Sequence, residues 1–177
     1  KFEFKIKPKL VHRLDKHTTG LLIFARTKQI ANILTSYFRN NTIEKKYLAI
    51  VIGKPSNSSG TIHSKIAKLG SKDLKDATTN YKVIASNHTA KISLIEFKPV
   101  TGRTHQIRIH AAKNLQCPIA GDTKYGDNTL IISNLDEKIH LHSSEIIIKN
   151  ILGKDYSLKA PLPSHIKSAM QKILVKT

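Results

Sequence analysis

Apolar residues in this chain fall in short blocks whose spacing changes from segment to segment, and that change is the first guide to its elements. Residues 21–25 form a continuous apolar run, which predicts a short buried strand. Thr27 then stands where a helix cap is needed, ahead of residues 28–38, in which Ile30, Ile33, Leu34 and Phe38 recur at helical spacing. Residues 45–52 read as a strand, residues 53–60 as a Gly/Ser/Pro/Asn-rich loop, residues 61–69 as a weaker ribbon and residues 71–76 as a charged loop. Two β-rich runs, 79–85 and 90–97, flank Ser86-Asn87-His88-Thr89 and predict a hairpin. Residues 99–102 interrupt the pattern. A helix is expected to open near Thr104 and to bring His105, Arg108 and Ala112 to one side. Residues 118–126 read as an irregular loop, 139–148 and 156–159 as strands, and Pro163-Ser164 as the start of an amphipathic helix through Val175. The pattern predicts an α+β domain on a mixed, mainly antiparallel β-sheet flanked by helices.

At 177 residues the chain fits a single domain that buries about two thirds of the surface its unfolded form exposes. Its formal charge of +18 far exceeds what solubility requires and points to a polyanionic partner. The lone Cys117 has no partner for an internal disulfide or a zinc motif, so a reducing, cytoplasmic setting and a buried inert thiol are expected. No apolar stretch approaches the ~20 residues of a membrane-spanning helix. Of the 30 basic residues only Arg13, Arg26, Arg39, Arg103 and Arg108 are arginines, and three of these fall in two motif clusters. A scarce planar guanidinium kept at such places suggests a geometry that lysine could not supply.

The first cluster, His12-Arg13-Leu14-Asp15 with Thr18-Thr19-Gly20, sets a carboxylate at a polar turn beside a cation and two hydroxyls. The second is Gly102-Arg103-Thr104-His105-Gln106-Ile107-Arg108-Ile109-His110. Together they make Asp15 a candidate nucleophile. Such a carboxylate must stay ionised, which a guanidinium within hydrogen-bond reach favours; Arg108 and Arg13 are the candidates. Taken alone, the first motif is better served by an aspartate that accepts backbone N–H groups in a turn. The order His-Arg-Leu-Asp is out of register with the kinase His-Arg-Asp loop, and the chain has neither a Gly-rich phosphate loop nor Asp-Phe-Gly. His105 and His110 are poorly spaced to share a metal, and His140 and His142 have no carboxylate or cysteine set beside them, so no metal is expected.

Residues 12–20 resemble the H-R-L-D-x-x-T-S-G signature of the RluA family of pseudouridine synthases, with Thr19 in place of serine. Lys46-Tyr47 is similar to the family's tyrosine motif. Ala77-x-Thr79-x-Tyr81, the run from Pro99 to Arg108, Pro118-Ile119-x-Gly121-Asp122-x-x-Tyr125-Gly126 and Leu141-His142 follow its later blocks in order. The resemblance implies the pseudouridine synthase fold and isomerisation of uridine to pseudouridine in RNA, with no organic cofactor. It makes Asp15 the nucleophile, attacking ribose C1′ or uracil C6 or removing a sugar proton. Arg108 becomes the arginine that pairs with it, and Tyr47 the aromatic that stacks on the base and serves in proton transfer. It casts Arg13 as the side chain that fills the gap left by an extruded uridine, places Arg103 and His105 at the RNA, and makes Leu141 a pocket wall. Asp122 is expected to organise its loop.

The Tyr47 region and overall spacing are most similar to the RluC/RluD-like branch, which implies large-subunit (23S) ribosomal RNA as partner. A monomer and no membrane association are expected. An S4-type RNA-binding domain of the kind the family often carries would lie upstream of these residues, which constitute the catalytic domain. Two readings compete with the isomerase: a noncatalytic RNA-binding module using the same basic surface, and a metal-assisted nuclease using His and Asp.

Overall fold

The computed structural model describes residues 7–67, 72–126 and 135–174. Its chain order is β1 (Lys9–Leu10), β2 (Thr19–Gly20), β3 (Phe24–Ala25), α1 (Lys28–Arg39), β4 (Glu44–Ile52), β5 (Ser59–Ala67), β6 (Leu74–Asn87), β7 (Ile92–Pro99), α2 (Gln106–Ile109), β8 (Leu141–Ile151), β9 (Lys154–Lys159) and α3 (Ser164–Leu174). Seven strands form one sheet in the order β2-β8-β4-β7-β6-β5, and β9 also pairs with β8. All of its pairings are antiparallel except β2 with β8. This is the expected α+β architecture.

Strand β4 shows how the sheet is buried on both sides. Its odd residues Ala49 and Val51 pack with Ile95, Phe97, Ile107, Ala111 and Leu141 on one face. Its even residue Ile50 joins Leu94, Ala169 and Ile173 of α3 on the other. A strand covered on both faces needs no polar alternation, which is why residues 45–52 end in an unbroken apolar run. Helix α1 begins where Thr27 accepts a hydrogen bond from the Ile30 amide at 3.2 Å. Its Ala31 and Leu34 close a separate core against Ile146, Ile148 and Ile151 of β8.

Three expectations give way to tertiary structure. Residues 21–25 are not a buried strand: only Phe24–Ala25 pairs, with the two-residue β1, and Leu22 and Phe24 are exposed while Ala25 is buried. Residues 74–76 are not loop but the start of the fourteen-residue β6, registered along β5 through Ile66↔Lys75 and Lys65↔Asp76. That long pairing supplies backbone bonds that outweigh the charged composition. Residue 71, the end of the ribbon at 68–69 and Val175 lie outside the described residues. Third, His105 is not on the helical face expected of it. It sits just before α2 with a left-handed backbone (φ 56°), and α2 widens into a π-helical turn at His110–Asn114.

Candidate active site

The Asp15 loop is held at both ends. His12 stacks on Phe38 of α1 with ring centroids 4.3 Å apart, and its Nε2 accepts the Ile23 amide at 2.9 Å. Burial first, and the charge of Lys45 second, push His12 down to about 4, so it is a neutral acceptor at neutral pH. Between these anchors Asp15 opens a turn in which the Thr18 amide bonds the Asp15 carbonyl at 3.0 Å, with His17 at φ 70°. Thr19–Gly20 then runs parallel to His142–Ser143. Thr19 Oγ1 lies 2.9 Å from His142 Nδ1. Gly20 (φ 111°) is required there because a Cβ would come within 2.2 Å of the Ser143 carbonyl oxygen.

Beside this loop, β4 and β8 are out of step by one residue: Lys46 faces Glu145 while Tyr47 faces Ser143. The bulge falls at Ser144, whose hydroxyl donates to the Lys46 carbonyl at 3.1 Å, and from Tyr47 onward the pairing is regular, with Tyr47 and Leu141 on the same face of the sheet. Burial, partly offset by the neighbouring Ser143 hydroxyl and reinforced by the charge of Asp15, raises the Tyr47 pKa, so its hydroxyl stays protonated.

A third segment closes the ring. Gln106, buried at 3% exposure, spends its whole amide on neighbours. Its Oε1 accepts from Thr101 Oγ1 (2.7 Å) and the Arg103 amide (2.9 Å), and its Nε2 donates to the Thr78 carbonyl (2.9 Å) and Thr79 Oγ1 (2.8 Å). This staple fixes residues 101–104 to β6, and Arg103 Nε donates to the Asp76 carbonyl at 3.0 Å.

These three segments enclose an open cavity of about 490 Å³. Asp15, Tyr47, Leu141, Arg13 and Arg103 all line it, together with Arg39 and Lys45. Among the described residues Asp15 is its only lining acid. Arg13 and Arg103 are exposed at the rim, whereas Asp15 and Lys45 are half-buried. Lys45 has no ion-pair partner among the described residues, and burial lowers its pKa.

Two residues expected at the site stand behind the wall. Arg108 is buried and makes no hydrogen bond to Asp15. Its Nε and Nη2 instead donate to Asp122 Oδ2 and Oδ1 at 2.7 and 2.6 Å. The direct Arg108–Asp15 pair is thus replaced by a fork onto a second carboxylate, with the Asp15 charge acting on the guanidinium through space. His105 shares a 2.9 Å hydrogen bond with the Tyr125 hydroxyl, and burial lowers its pKa against the pull of Asp15. Asp122 does organise its loop, since Oδ1 also accepts the Lys124 and Tyr125 amides at 3.1 and 3.2 Å. Its bond to Arg108, the Gln106 staple and the stacking of Tyr125 beneath the guanidinium (5.1 Å) went unread in the sequence, where these residues appear only as motif letters.

Cys117 is buried, and burial raises its thiol pKa, as expected of an inert side chain. Among the described residues no helix is long and apolar enough to cross a membrane.

Known proteins are similar to this chain in sequence and fold. The family described as RNA pseudouridylate synthase matches residues 1–113. A ribosomal large subunit pseudouridine synthase C of Rickettsia bellii is 40% identical over 168 residues, covering 89% of this chain and 54% of its own. An uncharacterized RNA pseudouridine synthase of Zymomonas mobilis is 37% identical, covering 92% of this chain and 76% of its own. Among solved structures, human RNA Pseudouridylate Synthase Domain Containing 4 superimposes with a TM-score of 0.81 at 28% identity, over 94% of this chain and 76% of that one. The chain spans about half the length of the Rickettsia relatives.

Proposed function

This chain belongs to the RNA pseudouridylate synthase family, and on that premise we propose that it isomerises uridine to pseudouridine in RNA, with large-subunit ribosomal RNA as substrate and Asp15 as nucleophile. The observation that carries the reading is the cavity itself: one carboxylate, half-buried among cations, opposite a protonated tyrosine and an apolar wall. Its volume lies within the ~300–1,000 Å³ of small-ligand sites. A polyanion is drawn to such a surface, and the lone carboxylate is where an electron-deficient carbon can be met.

The glycosidic carbon of a stacked nucleotide is shielded, so uridine must leave the stack, at a cost of a few kcal/mol that pocket contacts offset. Arg13 at the rim is placed to occupy the gap. Asp15 then attacks C1′ or C6, or takes a sugar proton. On each route the N1–C1′ bond breaks, uracil turns and C5 bonds to C1′, the Asp15–carbon bond breaks or the sugar proton is given back, the C5 proton leaves and N1 is protonated. Tyr47 stacks on the base and handles a proton, Leu141 walls the pocket, and Arg108 supports the ionised Asp15 from behind. Arg103 at the rim holds the RNA strand, while His105 stands behind the wall on the Tyr125 hydroxyl. The protein works as a monomer in the cytoplasm, without cofactor.

Relatives named for the ribosomal large subunit support that substrate class. Asp15→Asn tests the proposal. Pseudouridine formation should vanish while fold and RNA affinity stay near wild type, and equal activity in the two proteins refutes it.

A further inference from the structure

One side of the cavity is built by the last turns of α1 and the start of β4, where Thr35, Arg39, Asn41 and Lys45 line it. Thr35 and Arg39 share a face of the helix by their i, i+4 spacing. Lys45 and Tyr47 share a face of β4, about 7 Å apart along the strand. This side offers two cations, a hydroxyl and an amide, and none of them is used by the chemistry at Asp15.

Lys45 stands there at a cost. It is half-buried and makes no hydrogen bond or ion pair among the described residues. The acids of the adjoining strands are engaged elsewhere, Glu44 by Lys149 at 2.9 Å and Glu145 by Lys46. His12, which feels the charge of Lys45, is neutral and balances nothing. Burial lowers the Lys45 pKa and no carboxylate opposes it. A half-buried ammonium without a counter-charge weakens the fold, and an apolar side chain of the same reach would not. Breaches of this kind belong to functional sites, where the missing partner arrives with the ligand.

We infer that Lys45, flanked by Arg39, is an anion subsite for the phosphodiester of the nucleotide whose base lies on Tyr47. The inference rests on the placing, argued above, of an extruded uridine in this cavity. Along β4 the step from Tyr47 to Lys45 is comparable with the reach from a nucleobase to the phosphate of its own nucleotide. An ammonium on a flexible stem accepts a phosphate oxygen from many approaches, and the exposed Arg39 brings a second set of donors to the same group. The subsite selects a uridine within a chain over the free nucleoside, and it holds the nucleotide by its backbone once the base has left the stack.

The test is NMR titration of the protein with uridine and with uridine 3′,5′-bisphosphate, which carries a phosphate on either side of the sugar. The wild-type protein should bind the bisphosphate at least about tenfold more tightly, the contribution of one charge-assisted hydrogen bond in a partly dry site. In Lys45→Met that preference should shrink to within about threefold, while Tm stays at or above the wild-type value because an unpaired charge is gone. Lys167→Met removes the same charge from an exposed position of α3, which packs on the other face of the sheet, and should leave the preference intact. No preference in the wild type, or one that survives in Lys45→Met or falls equally in Lys167→Met, would overturn the inference. So would a Lys45→Met protein that melts more than about 3 °C lower, the mark of a residue that serves the fold. Tritium release from an RNA transcript carrying 5-tritiated uridine measures the isomerase reading separately, since C5 loses its hydrogen as it joins C1′. A wild-type protein that binds the bisphosphate as stated but releases no tritium sinks that reading and leaves the anion subsite standing.

Discussion

Replacing Gln106 by leucine keeps most of the side-chain volume and removes four hydrogen bonds at once. Each contributes about 0.5–1.5 kcal/mol net, and leaving a buried partner unpaired costs at the upper end of that range or beyond. Thr79 is fully buried, so its loss is not made good by solvent, whereas the Thr78 carbonyl keeps the Val100 amide at 2.9 Å and Arg103 is exposed. Thr101 Oγ1 keeps its second contact, the Thr78 amide at 2.9 Å, and softens the effect. The bonds share neighbours and do not simply add, which brings the expectation to about 3 kcal/mol. In a domain of this size each kcal/mol moves Tm by about 2–4 °C, so Gln106→Leu should melt about 6–12 °C below wild type. In urea the midpoint should fall with an unchanged slope. Residues 101–104 lose their staple in the same stroke, so kcat/KM should fall well below the melting range. A Tm within about 2 °C of wild type would refute the staple as the device that shapes this wall.

Three further outcomes follow from the same geometry. Gly20→Ala, with its Cβ forced to 2.2 Å from the Ser143 carbonyl, should unpair β2 from β8 and abolish activity in a protein whose core still melts cooperatively by calorimetry. His110 is pushed from 6.5 to about 4, by burial first and the charge of His63 second. The unfolded chain takes up that proton below pH 6.5 and the folded one does not, so the stability it contributes is complete above 6.5 and drains away as pH falls toward 4. His110→Phe should therefore flatten the decline of the urea midpoint between pH 6.5 and 4, and an undiminished slope would count against it. Lys45→Met should weaken RNA binding and reduce the dependence of log affinity on log salt by about 1, as measured by titration at several salt concentrations; an unaltered salt slope would place Lys45 outside the RNA path.

The chain's periodicity alone marked the Thr27-capped helix, the hairpin around residues 86–89, the terminal helix and the antiparallel character of the sheet. Those features rest on short-range rules: a hydroxyl before a helix, turn formers between β-rich runs, apolar spacing near 3.6. Motif order likewise marked Asp15, Tyr47, Arg13, Arg103 and Leu141, which lie far apart in the chain yet line one cavity. Tertiary structure alone decided what depends on partners distant in sequence. Strand β6 begins inside a charged stretch because β5 lies alongside it, and residues 21–25 are half exposed because only a two-residue strand pairs with them. Arg108 forks onto Asp122 rather than Asp15 because the loop after Ile119 folds back beneath α2, a contact fourteen residues away that no local pattern encodes. Propensity and spacing act over one or two turns of chain, whereas the direction of a buried guanidinium is set by whichever acceptor packing brings to it.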